Sequence, residues 1–239
     1  MKNSFVSMAL LVAFTVMAEV PKPIVALPLN EGNLNSISES ISGKKVKVCN
    51  PELLTWIKGA DGQALQFNNP RETSKRAMLA VPIPTGFDLS KGFTLAVNIK
   101  TAPDIEPNKS RCYMIASFTD HFRKGPGFNV NLCWRMFYFQ AGDGVKKLQK
   151  VTNYTTLKIA PETWYALVFT YDGNVARIYV DGNLQAEAKD WAITNPVHNK
   201  HINIGADFAS GTAYGFEGGI ANFRLYDSAL SKDKIAMMK

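Results

Sequence analysis

WYALVFTYDGNVARIYVDGNLQAEA, residues 164–188, decides the fold. It divides into three extended runs, Tyr165–Tyr171, Asn174–Val180 and Asn183–Ala188, separated by Asp172-Gly173 and Asp181-Gly182. Asp-Gly between β-branched and aromatic runs is a strong hairpin signal, because a type I′ turn needs φ above zero and glycine supplies it without steric cost. Two such turns in succession predict an antiparallel meander.

Outward from the meander the chain keeps the same character. Phe93–Lys100 alternates apolar and polar residues, which marks one buried and one exposed face. Further strands are expected at Ile24–Leu29, Lys44–Val48, Ala64–Phe67 after a turn, Met78–Ile83, Cys112–Phe118, Gly127–Leu132, Met136–Gln140, His201–Gly205 and Phe216–Tyr226. Pro28 places the first of these at a sheet edge or a strand end, where a missing N–H is tolerated. Residues 30–43, 101–110 and 191–200 read as loops. Ser231–Met238 reads as a short helix, with Ser231 able to accept from first-turn amides and Asp233 suited to the positive end of the helix dipole. Many short strands with regular turn signals and almost no helix predict an all-β protein, a two-sheet antiparallel jelly-roll sandwich with a short C-terminal helix.

The 239 residues are 46% hydrophobic and 20% charged, enough for one substantial core and hence one domain over residues 19–239. Residues 1–18 read as a secretory signal peptide: Lys2, an apolar run from Ser4 to Met17 too short to span a bilayer, and a cut after Ala18. An uncleaved anchor is the alternative. No later segment resembles a membrane span, so no stable membrane insertion is expected after cleavage. The formal charge of +7, +6 without Lys2, is spread over Lys44-Lys45, Arg71–Arg76, Arg123-Lys124 and Lys146-Lys147. Such patches suit either an acidic polymer or solvated strand edges protected against pairing. Nucleic acid is a poor fit for an exported chain with no nucleic-acid motif. Of Cys49, Cys112 and Cys133, at most two can pair within the chain. Cys112 and Cys133 are the favoured pair, on what look like neighbouring strands, and buried free thiols are the other reading.

Taken together, Trp164, Tyr171-Asp172-Gly173, Ile178–Gly182, Ile204-Gly205 and Phe216–Tyr226 with Ala229-Leu230-Ser231 resemble the laminin G-like members of the concanavalin A-like lectin/glucanase superfamily. Gly59–Phe67 and Asp88–Leu95 look like that family's early strands, so the resemblance covers nearly the whole of residues 19–239. It implies a concave sheet face, variable rim loops and a binding role toward carbohydrate or extracellular protein. It also implies a calcium site near the junction of the first and last strands, where this chain offers Asn30, Glu31 and Asn222. Relatives often have aspartates there, and one carboxylate makes a weak set for a hard dication.

Catalysis is not expected. Glucanases of the superfamily alternate carboxylates along one strand, whereas Asp104 and Glu106 lie between Pro103 and Pro107 in a loop pattern. His198 and His201 supply too few ligands for zinc. For a glycan the useful groups are aromatic rings that stack on sugar faces, with planar polar groups at their edges. Trp134, Tyr154, Trp191 and Tyr214, with Arg123, Arg135 and Asp207, are the candidate binding residues. Phe122, Asn131 and Asn153 lie beside them in sequence. The reading is a secreted, non-catalytic, lectin-like module using rim loops or the concave sheet, with an extracellular protein-interaction domain and an unrecognised polysaccharide-active enzyme as rivals.

Overall fold

A computed structural model describes residues 19–60, 62–70, 74–105, 112–120, 125–145, 149–152, 157–208 and 214–238. The expected signal peptide lies outside them. In chain order the strands are β1 (Val25–Leu27), β2 (Lys47–Cys49), β3 (Leu54–Gly59), β4 (Gly62–Asn68), β5 (Met78–Pro82), β6 (Phe93–Thr101), β7 (Cys112–Thr119) and β8 (Gly127–Cys133). They continue with β9 (Met136–Gly142), β10 (Gln149–Thr152), β11 (Trp164–Tyr171), β12 (Ala176–Val180), β13 (Asn183–Ala188), β14 (His201–Ile204) and β15 (Glu217–Tyr226), followed by the helix α1 (Lys232–Ala236).

The strands form two antiparallel sheets. One is eight-stranded, in the order β13-β12-β11-β6-β15-β4-β3 with β1 also on β15, and the other is seven-stranded, in the order β10-β9-β8-β7-β14-β5-β2. Alternation explains the layering, since residues i and i+2 share a face. Phe93, Leu95, Val97 and Ile99 of β6 turn into a common core with Phe128, Val130 and Leu132 of β8 and Phe137, Phe139 and Ala141 of β9. The outer face of the eight-stranded sheet carries a second apolar cluster, Ala96, Val168, Tyr179 and Tyr226, covered by Leu230 and Ile235. Thr94 ties this cover down: its hydroxyl donates to the Ser228 carbonyl and accepts the Leu230 N–H, both at 2.8 Å. Ser231 caps α1, its hydroxyl accepting the Lys234 amide.

The meander forms as β11-β12-β13, and its second turn has the expected left-handed pair, Asp181 at φ 50° and Gly182 at φ 75°. The first turn differs from the two-residue form. Tyr171 pairs with Ala176, so Asp172–Val175 is a four-residue loop in which the Asp172 carboxylate accepts the N–H groups of Asn174 and Val175. That side-chain turn needs only Gly173 at positive φ and delays β12 to Ala176. Two strands were not expected from sequence. β3 pairs with β4 in a hairpin where only a turn was foreseen, and β10 adds an edge to β9.

Gly218 sits at the centre of the eight-stranded sheet with φ 141°, where a β-carbon would lie 2.1 Å from the Lys100 carbonyl oxygen. Gly218→Ala should therefore destabilise the protein by about 2–4 kcal/mol, read as a lower urea midpoint at unchanged slope.

Candidate ligand-binding site

Trp134 and Arg135 are the whole of the β8–β9 hairpin turn, at φ 50° and 60°. A two-residue hairpin of this twist favours Asn-Gly, and bulky residues in the left-handed region are strained by about 1–3 kcal/mol each. Neighbouring contacts hold the turn in place. Cys112 and Cys133, opposite each other on β7 and β8, form a disulfide directly beneath it. The Arg135 Nε–H donates to the Ile159 carbonyl at 2.8 Å. Trp134 itself remains 49% exposed, its ring edge-on to Tyr138 at 6.1 Å.

Below Trp134 lies the outer face of the seven-stranded sheet. Because Phe128, Val130 and Leu132 point into the core, Asn129 and Asn131 point outward. The register sets Asn203, Ser117, Asn129, Gln140 and Lys150 in one row across β14, β7, β8, β9 and β10. The next row, nearer Trp134, is Met114, Asn131, Tyr138 and Thr152. Asn131 Nδ2 donates to Gln140 Oε1 at 3.1 Å, yet its own Oδ1 is buried without a hydrogen bond, as is the hydroxyl of Thr152. An orphaned buried polar atom costs about 1–3 kcal/mol, which an incoming hydroxyl would relieve.

The chain can be placed among known proteins through its sequence. A laminin G family profile, described as concanavalin A-like lectin/glucanases superfamily, matches residues 74–236. This chain belongs to that superfamily. The sandwich also resembles solved structures at low identity. They include the binding domain of Paraclostridial Mosquitocidal Protein 1 (TM-score 0.69, 14% identity). Others are the botulinum neurotoxin serotype G binding domain (0.68, 15%) and the serotype D ligand binding domain in complex with N-acetylneuraminic acid (0.64, 15%). Each likeness covers 91% of this chain and 50–51% of the other, so the chain spans about half their length. No curated protein matches the sequence.

Within this laminin G-like sandwich the expected binding residues fall into three groups. Trp134, Arg135, Asp207 and Tyr214 come together at one end. The Gly205 N–H donates to the Ile115 carbonyl and Ala206 bridges to Gly215, which puts Asp207 and Tyr214 at the end where β8 turns into β9. Trp191 is a correction: it lies at the opposite end, 5% exposed, stacked on Phe139 at 5.5 Å, with its carbonyl accepting the Tyr171 hydroxyl. A ring so buried has no face left for a ligand. Arg123 and Tyr154 lie outside the described residues, as do Phe122 and Asn153. Phe208, 47% exposed beside Asp207, and the outward amides of β8 and β9 were not singled out from sequence beyond Asn131. The alternation in Phe128-Asn129-Val130-Asn131-Leu132 carried that signal.

The rival chemistries gain little from the geometry. Asp104 accepts a hydrogen bond from the Tyr113 hydroxyl at 3.0 Å, and Glu106 lies outside the described residues. His198 and His201 are exposed, the loop before β14 being held by Asp120, whose carboxylate accepts the amides of Val197, His198 and Asn199. Among the described residues no group of three or more His, Cys, Asp or Glu side chains could hold a metal. Of the expected calcium ligands, Asn30 and Asn222 line one crevice of about 10 Å³, and Glu31 does not line it. Glu31 Oε2 is buried without a donor, which suits a cation, but Arg224 lines the cavity that adjoins Asn222. Among the described residues the crevice thus offers carboxamides and no carboxylate, a weak set for a hard dication.

Asp207 is 2% exposed, and burial pushes its carboxyl up to about 6, against the pull of its own and Phe208's amides and of the Arg76 charge. A pKa raised above the unfolded 3.8 stabilises the fold only while the group is protonated, so its share of stability is lost as pH rises from about 4 through about 6. Urea unfolding should show a loss of about 2 kcal/mol from this group between pH 4 and pH 7.5, and Asp207→Asn should flatten that slope.

Proposed function

We propose that this protein is an exported, non-catalytic carbohydrate-binding module that takes its ligand at the Trp134 end of the seven-stranded sheet. The observation that carries the reading is the strained, exposed Trp134 against Tyr138, whose cross-strand neighbours Asn131 and Thr152 hold buried polar atoms that lack partners. An aromatic face for the C–H side of a sugar, with amides and a hydroxyl beneath for its hydroxyl groups, is the chemistry of glycan recognition. Superfamily membership supports the binding role, as does the neurotoxin domain solved with N-acetylneuraminic acid. The Cys112–Cys133 disulfide supports an oxidising compartment, and hence export. Among the described residues no helix is long and apolar enough to cross a membrane.

On a glycan array the protein should bind at least one glycan class, with binding unchanged by chelator. Trp134→Ala should weaken that binding by about tenfold or more, from the loss of one aromatic stacking contact. Undiminished binding in this variant would remove the proposed site. No glycan binding, together with capture of an extracellular protein, would favour a protein-interaction domain, and new reducing ends from a polysaccharide panel would make the protein an enzyme.

A further inference from the structure

Arg224 stands on the outer face of the eight-stranded sheet, away from the Trp134 end of the other sheet. Its register partners are Ala26 on β1 and Ala96 on β6. Its Nε–H is buried and meets no acceptor, and among the described residues no carboxylate pairs with it. An arginine so placed, in a sheet that buries much of its stem, is normally matched by a carboxylate or carbonyl.

A cavity of about 300 Å³ opens beside it, lined by Arg224, Asn98, Asn222, Pro28, Met237 and Met238 among others. That volume is at the lower end for small-molecule sites. Among the described lining residues there is no acidic side chain. Asn222 is set there by backbone geometry: the register of β15 on β6 shifts between Ala221 and Arg224, Asn222 takes φ 51°, and its amide donates to the Pro28 carbonyl at 3.0 Å. The irregularity thus brings a carboxamide next to the guanidinium, with Asn98 of β6 facing the preceding Ala221. Proline and the two methionines add apolar, polarisable surface to the same lining.

We propose that this cavity binds a sugar acid: a ring-sized ligand whose carboxylate is taken by Arg224 and whose hydroxyls are read by Asn98 and Asn222. The planar guanidinium fork matches a carboxylate, each carboxamide can both donate to and accept from a hydroxyl, and the methionine surface meets the ring's C–H face. The site is independent of the Trp134 reading, since it lies on the other sheet and uses none of the same residues.

The test is titration calorimetry of residues 19–239 with sodium glucuronate, glucose and sodium sulfate in parallel. Glucuronate should bind, more weakly as salt rises, and glucose should not. Arg224→Gln should weaken glucuronate by about tenfold or more, Arg224→Lys by less, and Trp134→Ala should leave it unchanged. Should Arg224→Gln not fold, Asn98→Ala serves in its place, with a several-fold loss expected. The proposal is overturned if glucuronate does not bind, if Arg224→Gln and Asn98→Ala both bind it like the unmodified protein, if Trp134→Ala abolishes it, or if sulfate binds as tightly, which would leave an oxyanion site with no sugar recognition.

Discussion

The two sheets are held in register by aromatic rings that interlock across the interior. Phe93 of β6 stacks on Phe128 of β8 at 5.1 Å and meets Phe139 of β9 edge-on at 5.9 Å. Phe139 in turn packs against Phe169 of β11 and Trp191. Each such ring contributes about 2–3 kcal/mol by burial, with about 0.5–1.5 kcal/mol more from a well-placed pair. Their second effect is geometric. Because β8 and β9 each give inward rings to this seam, the outward positions between them are fixed too, and Asn131, Gln140 and Tyr138 are held at set heights above the sheet. The hairpin that displays Trp134 is the direct continuation of those two strands.

A division of labour follows between the faces. The outer side of the eight-stranded sheet is part closed by Leu230 and Ile235 and part open at the Arg224 cavity. The outer side of the seven-stranded sheet carries rows of amides, hydroxyls and one tyrosine. The second also bears two bulky residues in left-handed conformation at one turn, while buried polar atoms without partners occur in both sheets. Elsewhere in the sandwich left-handed positions are met mostly by glycine, asparagine and aspartate, the residues that tolerate them at least cost.

Much of the architecture could be read in the sequence because strand alternation and Asp-Gly turns are local signals. Phe93–Lys100 and Tyr165–Tyr171 announce their faces within a single window. The first meander turn escaped because the Asp172 carboxylate competes with the backbone for the Asn174 and Val175 amides, a side-chain effect that the Asp-Gly pair alone does not reveal. β3 and β10 escaped because each is defined chiefly by its neighbour: Leu54–Gly59 needs β4 opposite it, and Gln149–Thr152 is a four-residue edge. The site was partly readable. Trp134 and Asp207 stand out as residue types, but Trp134 and Trp191 look alike until three-dimensional packing puts one on a turn and the other against Phe139. The cavity at Arg224 had no local sign at all, since it arises from a register shift between strands far apart in the chain.

The placement of Val20 and Met238 has a practical side. Val20 and Met238 both settle on the cluster around Ile235, on the outside of the eight-stranded sheet. A linker or affinity handle fused at either end of residues 19–239 therefore leaves from the back of the sandwich. Immobilised on a sensor chip through such a handle, the molecule would lie with its seven-stranded sheet turned toward the flowing analyte, and a crowded coating would shade the Arg224 cavity long before it shaded Trp134.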